Sequence, residues 1–571
     1  MSAFIYQKDN FAAGLRFAVG QSDFETLIES NFTLVDKSEV IQDIIDGTDQ
    51  IFLFPRPRRF GKTLLMQMLK CFFEKSTKSK QHLFAPLNIW RAGKQYQAYQ
   101  GRYPVIYLSF KDIKEPDFKL AYQHLQAVIA DVYEYHAPIL KGETLTPKEH
   151  VTFLAILNKT ASKIDFENSL LYLSRWLERA YQEKVVILLD EYDSPIHTAY
   201  AKKYYQDMMD IMRGFMGATF KDNSHVYRGV ITGILRVAKE SMFSGLNNLA
   251  VYSILQKEYG EYFGFTQKEM DLVLKKCKLQ KLKGKIREWY NGYQFGDLEI
   301  YNPWSIINCI NKKGDFTPHW VNTADNSLLE DLLAKADVST KANLEKLLRG
   351  ESVDVSVSEG IVFNTLHLEA DALYSFLLFT GYLKAKNVRM EHRKLCAQLS
   401  IPNEEIATLY QALFEHWITV RIDVSNYQNM LNSLTEGHVE EFERLLRNYV
   451  EASMSYFDAD KQPEKFYHGF ILGILVGLQQ THEVRSNRET GYGRADIWVI
   501  PKDHSKLGVL LEFKRTDKAS LLVKDAKKAL EQIKAQGYVK ELKAKGIQQV
   551  RLIGVSFYRK KIALKSQLCT R

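Results

Sequence analysis

The sequence predicts an α/β protein with a largely parallel sheet in its N-terminal half and a second, smaller α/β domain at its C-terminus. Two patterns carry this. In the first half, short apolar and β-branched runs (Ile51 to Phe54, Val105 to Ser109, Val185 to Leu189, Val226 to Thr232) alternate with helix-like segments, the rhythm of a parallel sheet crossed by helices. Near the C-terminus ADIWVI, LGVLLEF and VRLIGVSF repeat the strand signal, with a Lys-rich helical segment between the last two. At 571 residues the chain exceeds one hydrophobic core, because domains stop growing below about 250 to 300 residues.

Composition sets the class. A hydrophobic fraction of 46% and a charged fraction of 25% are those of packed globular proteins and exclude a disordered chain. The balance of 77 basic against 68 acidic residues gives +9, which permits a nucleic-acid partner without requiring one. Cys71, Cys277, Cys309, Cys396 and Cys569 are odd in number and far apart, with no CxxC pair or His at zinc spacing, which favours a reducing compartment. The opening MSAFIYQKDNFAAGL lacks a basic segment followed by an apolar one, and the longest apolar stretch, Gly469 to Leu478, is about half of a membrane span. A cytoplasmic protein with no membrane partner is expected.

The first chemical motif is Ile51-Phe-Leu-Phe-Pro-Arg-Pro-Arg-Arg-Phe-Gly-Lys-Thr63, a strand, a loop and a helix beginning near Gly61. A loop feeding a helix N-terminus aims backbone N–H groups and the positive end of the helix dipole at phosphate oxygens. From a solvent-facing helix start Lys62 would reach β and γ phosphates while Thr63 ligates Mg²⁺, with Arg59, Phe60 and Gly61 forming the cradle. Against GxxxxGK[ST], Arg56 replaces the first glycine, and Pro57 removes an N–H donor. A helix opened by GKT with a merely solvated Lys62 is the alternative.

The apolar run Val185 to Leu189 ends in Asp190 and Glu191, as a central strand with catalytic groups on its C-terminal edge would. Asp190 suits Mg²⁺ and Glu191 suits polarising the attacking water, with Asp193 as the second candidate for that base. Lysine and acids then occur in the expected order, each ending a strand. In VYRGVITGILRVAKES, Thr232 ends the apolar part and is placed to sense a γ-phosphate, and Arg236 to neutralise charge in cis or from another subunit. The alternative for Arg236 is a helix-surface residue.

From Phe265 to Trp320 the pattern turns helical and then gives WYNGYQFGDLEIYNPW, read as a turn or short hairpin in a lid-like subdomain. From about Ser327 to Tyr456 most segments carry helical spacing. An apolar helix from about Glu464 then leads to the second constellation, Gly491-Tyr-Gly-Arg-Ala-Asp496 followed by Leu510-Leu-Glu512-Phe-Lys514. Strand alternation points Glu512 and Lys514 to one side while Phe513 packs into the core. If Asp496 lies on the neighbouring strand, it and Glu512 can share Mg²⁺, with Lys514 beside the phosphate. The plain alternative is a solvated edge-strand hairpin. Lys524, Lys527, Lys528 and Lys534, with Tyr538 at the end of their helix, fit either a phosphate-tracking surface or solvated lysines.

RPRRFGKT, VDK at Val35 to Lys37, LLDEYDSPI, TGILRVAKESMFSGLNNL, WYNGYQFG and YNPWSI together resemble the AAA-ATPase-like family of prokaryotic proteins that carry a C-terminal PD-(D/E)XK nuclease domain. In that family the arginine-rich loop is the usual form of the phosphate-binding motif. The resemblance also gives Glu464 the place of an additional core acid and Gln532 that of a polar residue on the helix after the ExK strand. It implies an AAA-like P-loop domain over 1–255, a lid or winged-helix-like subdomain over 256–326, a mostly helical linker over 327–457 and a PD-(D/E)XK nuclease-like domain over 458–571. The expected protein binds and hydrolyses ATP with Mg²⁺ and couples it to a Mg²⁺-dependent nuclease on DNA before RNA, with homo-oligomerisation left open. A nucleotide-switched scaffold that binds without cutting is the competing reading.

Overall fold

The computed structural model describes the chain except for residues 1–4, 7–14, 141–143, 238–241, 244–245, 321–326, 336–337, 349, 367–368, 420–423, 454–470, 472–473, 479–480, 491–492, 536–537 and 571. The chain divides into two units, one of residues 1–336 and 352–406, the other of 337–351 and 407–571.

The first unit is built on a five-stranded, wholly parallel sheet. Its strands are β1 (Ile51–Pro55), β2 (Val105–Ser109), β3 (Val185–Asp190), β4 (Val226–Gly233) and β6 (Leu249–Val251), in the order β2-β3-β4-β1-β6. Every residue of β1 and β3 is buried, which is why both read as unbroken apolar runs. The strand β4 lies between β1 and β3, pairing Phe54 with Thr232 and Leu189 with Ile231, so the C-terminal ends of all three lie level. Helix α1 (Lys62–Phe73) leaves β1 after a six-residue loop, and α2 (Tyr205–Phe220) leads into β4.

The stretch from 265 to 311 contains the short hairpin read from WYNGYQFGDLEIYNPW. Strand β7 (Phe265–Thr266) precedes α3 (Gln267–Lys276), whose capping box joins Thr266 and Glu269. The Gly-Asp turn closes the hairpin of β8 (Tyr293–Phe295) and β9 (Leu298–Tyr301). Asn302 caps α4 (Pro303–Asn311), with Pro303 at the first helical position where its missing N–H has no partner to lose.

The stretch read as helical contains a sheet. Strands β10 (Val353–Val357), β12 (Lys384–Glu391) and β13 (Lys394–Ser400) form an antiparallel sheet in the order β10-β13-β12. The turn between β12 and β13 is His392-Arg393, with φ of 46° and 65°, a left-handed pair usually marked by Asn or Gly and here by neither. The charged residues of β12 are largely exposed, so its pattern mimics a solvated helix.

The second unit holds a five-stranded sheet of β14 (His482–Thr490), β15 (Gly493–Pro501), β16 (Gly508–Arg515), β17 (Val550–Tyr558) and β18 (Lys561–Cys569) in that order. Only β16 and β17 pair in parallel, joined by α7 (Leu522–Ala535). One face carries Val509, Leu511, Phe513, Ile553 and Val555 against α5 (Val424–Glu436) and α6 (Val439–Ser453). Trp498, Leu510 and Leu552 on the other face meet Leu530 and Ile533 of α7.

Helix α7 lies directly on β17 at Gly554. A Cβ there would stand 2.3 Å from the Ala526 carbonyl oxygen and 2.4 Å from the Leu530 nitrogen, both backbone atoms that cannot swing aside. Gly554→Ala is therefore expected to destabilise this unit by about 1–3 kcal/mol. Hydrogen exchange checks this: the α7 amides should lose protection, while those of β1 and β3 keep theirs.

Candidate functional site

The loop after β1 is built around a buried arginine. Arg56 is fully buried, its guanidinium 4.6 Å above the Phe263 ring and 5.2 Å from that of Phe295. Its Nη1 donates to the carbonyls of Pro55 at 2.9 Å and Tyr252 at 2.5 Å. Burial pushes its pKa down to about 9. Arg56 thus acts as an anchor for the loop in the place where the general motif has a glycine. Two left-handed residues, Arg59 (φ 67°) and Gly61 (φ 87°), then bend the chain into α1. The Arg59 guanidinium lies 4.2 Å over the Trp304 ring, Trp320 Nε1 donates to the Arg58 carbonyl at 3.0 Å, and Phe60 packs edge-on against Tyr293. The segment from Tyr293 to Trp320 therefore holds the loop on its outer side.

Lys62 does not face solvent. It is 4% exposed, and its Nζ donates to the carbonyls of Arg56 and Pro57, each at 3.0 Å. The physical reason is Arg56: with that side chain drawn into the core, the carbonyls of 56 and 57 turn over the first residue of the helix. Burial pulls the Lys62 pKa down, and the carboxylates of Glu191, Asp193 and Asp190 oppose that pull.

Across from the loop, Asp190 has no exposed surface. Its Oδ1 accepts from Thr232 Oγ1 at 2.6 Å and its Oδ2 from Thr63 Oγ1 at 2.9 Å. The three residues come from the ends of β3 and β4 and the start of α1. Thr232 is itself buried behind Asp190, so it supports that carboxylate. Glu191 follows in a left-handed conformation (φ 52°) that costs a non-glycine residue about 1–3 kcal/mol, and its charge is felt at both Arg59 and Lys62. Its N–H reaches Thr232 Oγ1 at 3.4 Å.

Asp193, the second candidate base, is committed elsewhere. It is 1% exposed, its Oδ2 accepts from the N–H groups of Ile234 at 2.9 Å and Leu235 at 2.8 Å, and His197 Nε2 lies 3.1 Å away. Burial alone would raise its pKa, but His197 and the two amides outweigh burial and lower it. Arg236 is not on a helix surface. It opens the short strand β5 (Arg236–Val237), paired in parallel with β11 (Gly360–Ile361), and its charge acts on Tyr192. The structure thus brings Lys62, Thr63, Asp190, Glu191 and Thr232 together, with Arg59 at the margin and Arg236 to one side. Arg56 and Asp193 as anchors, and Trp304 under Arg59, carry no sequence signal of that role.

In the second unit β16 lies between β15 and β17, so the edge-strand alternative does not hold. Phe513 packs into the core with α5 and α6, as alternation requires, and Glu512 and Lys514 take the opposite face, toward α7. Glu512 is 3% exposed and its carboxylate accepts from Gln532 Nε2. Lys514 is half-buried, opposite Ser556 in the register. Ile497 of β15 pairs with Leu511, so position 496 precedes and Glu512 follows the same rung. The Asp496 side chain and the whole of Glu464 lie outside the described residues. Gly554 is the register partner of Glu512, so the missing side chain that lets α7 approach also brings Gln532 within reach of the carboxylate. Lys528 and Lys534 pair with Asp525 and Glu531 on their own helix, whereas Lys524 and Lys527 are exposed. Tyr538 is core, packed on Trp498. Among the described residues no three His, Cys, Asp or Glu side chains gather as a metal site, and no helix is long and apolar enough to cross a membrane.

Each unit also has a match among known families. Residues 18–243 match the family described as predicted AAA-ATPase, and residues 462–567 match the PD-(D/E)XK nuclease superfamily. The chain therefore carries an AAA-ATPase-like domain followed by a PD-(D/E)XK nuclease superfamily domain. Over 558 residues it is 27% identical to a protein of Azotobacter chroococcum mcd 1 described as an uncharacterized protein in the vnfD 5' region, covering 95% of this chain and 96% of that one.

Because Asp193 fixes the turn after β4, Asp193→Ala leaves two buried N–H groups unpaired. A loss of about 2–4 kcal/mol is expected. Thermal melting checks this, and an unchanged midpoint would show that the Ile234 and Leu235 amides do not depend on Asp193.

Proposed function

We propose that the protein binds and hydrolyses ATP at the loop of residues 56–63 and uses the nucleotide to regulate a Mg²⁺-dependent nuclease that acts on DNA. The observation that carries the ATPase reading is the meeting of Thr63 and Asp190 at 2.9 Å beside Lys62 and Glu191. A hydroxyl and a carboxylate at one point are hard oxygen donors of the kind Mg²⁺ prefers, so Thr63 and Asp190 are the residues that would hold it. When bound, the ion neutralises phosphate charge. Lys62 exchanges its two carbonyl acceptors for β and γ phosphate oxygens, and Gly61 and the N–H groups that open α1 receive the anion. Glu191 orients a water and takes its proton. Thr232 keeps Asp190 in place, and Arg236 offers charge from the side or across a subunit boundary.

For the nuclease, a buried glutamate two residues before a lysine on a central strand carries the reading. Glu512, with Asp496 on the neighbouring strand, would hold the divalent ion, whose charge lowers the pKa of water and offsets the anionic phosphate. Gln532 fixes the Glu512 carboxylate, and Lys514 keeps a positive charge at the scissile phosphate. Lys524 and Lys527 offer backbone contacts without base selection.

Lys62→Ala is expected to abolish tight ATP binding without loss of fold, and Glu191→Gln to retain ATP while slowing hydrolysis by about 10²-fold or more. Calorimetric titration and steady-state phosphate release test the pair. A Glu191→Gln protein turning over at the wild-type rate removes Glu191 as the base.

Glu512→Gln and Lys514→Ala should each lower cleavage at least ~10²-fold while DNA binding survives. The assay uses single-stranded, double-stranded and branched DNA, and RNA, with Mg²⁺ or Mn²⁺, with and without ATP. Wild-type protein that cuts none of them under any condition would leave a nucleotide-switched binding protein.

A further inference from the structure

The stretches WYNGYQFG and YNPWSI take no part in the chemistry above, yet both are bonded to the start of one helix, Glu404–Thr419. Asn403, the residue before that helix, accepts the Ile406 N–H at 3.1 Å and donates to the Asn291 carbonyl at 2.8 Å. Glu405, in its first turn, has no exposed surface. Its Oε2 accepts from Ser305 Oγ at 2.7 Å and its Oε1 from the Trp320 backbone N–H at 2.6 Å. A buried carboxyl group costs stability unless its oxygens are hydrogen-bonded, so the two donors and the acid fix one another.

These donors lead straight to the phosphate loop. Trp320 Nε1 donates to the Arg58 carbonyl at 3.0 Å, and Trp304, next to Ser305, lies 4.2 Å under the Arg59 guanidinium. Three consecutive loop carbonyls are engaged in turn: those of Arg56 and Pro57 accept from Lys62, each at 3.0 Å, and that of Arg58 accepts from Trp320. A phosphate that takes the Lys62 ammonium releases the first two. Peptide groups are planar, so the Pro57 carbonyl turns only together with the Arg58 nitrogen, and the change arrives at the residue that Trp320 holds.

Resting on the P-loop reading, we infer that Glu405 is a positioning residue of the nucleotide loop and couples its occupancy, through Arg58 and Trp320, to the helix Glu404–Thr419. That helix carries the chain past residue 406, where the first unit ends and the second resumes, so ATP acts on a stretch of chain that continues into the second unit. Coupling of this kind is reciprocal. If bound ATP steadies Glu405, then Glu405 steadies the loop for ATP by the same factor, and losing one hydrogen bond of the series weakens ATP by about three- to tenfold.

Hydrogen exchange of the full chain, with and without saturating ATP, tests this on wild type, Trp320→Phe and Glu405→Gln, with calorimetric titration to set equal occupancy. Trp320→Phe keeps a ring in the core and the backbone N–H that Glu405 accepts, and removes only the donor to Arg58. Glu405→Gln keeps the shape and leaves one oxygen for two donors. In wild type, ATP should slow exchange at residues 404–419 by about threefold or more. Both variants should bind ATP more weakly, and at saturation ATP should no longer alter exchange there. A merely structural Glu405 gives another pattern: Glu405→Gln then speeds exchange equally with and without ATP, and the response to ATP survives. Either variant keeping the wild-type response at equal occupancy overturns the inference, as does wild type whose 404–419 amides ignore bound ATP. Should Glu405→Gln fail to fold, Trp320→Phe decides alone, since Glu405 keeps both its bonds in that protein. Wild type that binds neither ATP nor inorganic tripolyphosphate ends the P-loop reading itself, and the coupling with it.

Discussion

A buried carboxylate holds the first unit's site in one plane. Asp190 has no exposed surface, and an ionised group in that position persists only if its oxygens are hydrogen-bonded. Its two oxygens are taken by hydroxyls from two different segments, Thr63 at the start of α1 and Thr232 at the end of β4. The arrangement works because β4 sits between β1 and β3, bringing its C-terminal end within reach of both. Moving any of the three ends would leave an acceptor unpaired. The anchors around them, Arg56 under the loop and Asp193 under the turn after β4, extend the same fixation outward.

What could be read in the sequence follows from what each residue faces. Buried parallel strands have no solvent side, so IFLFP, VVILLD and VYRGVITG announced themselves as apolar runs whose C-terminal ends carried the polar groups. In the second unit, alternation put Phe513 on one face and Glu512 with Lys514 on the other. The Gln532 contact came from family resemblance; nothing in the residue itself announces it. The hairpin of β12 and β13 was illegible because its turn is His392-Arg393 and its outer strand is charged. Arg56 was illegible for the opposite reason. An arginine in a phosphate loop is read as a ligand for anions, and only the rings of Phe263 and Phe295, more than two hundred residues away, show that it faces inward.

Two non-glycine residues with positive φ, Arg59 and Glu191, belong to the same site. Left-handed backbone persists where neighbours over-determine it. Trp304 stacks on the Arg59 guanidinium, and the Glu191 amide is bonded to Thr232. Side chains held by strained backbone start close to a fixed orientation, so less ordering remains when a ligand arrives. Trp304 of α4 supplies the ring beneath Arg59, which makes the helix opened by YNPW a support of the loop.

The path of the chain has a consequence for how the protein is made. The second unit takes residues 337–351 before the first unit is complete, and the first unit closes only with 352–406. During synthesis the segment 337–351 emerges with its partners in the second unit still untranslated. Its final neighbours arrive only after residue 407, so this segment must wait through the completion of another unit. A cut between 352 and 406 falls inside the first unit and not between the two. The two units are therefore joined by interleaved stretches of one chain and not by a single linker.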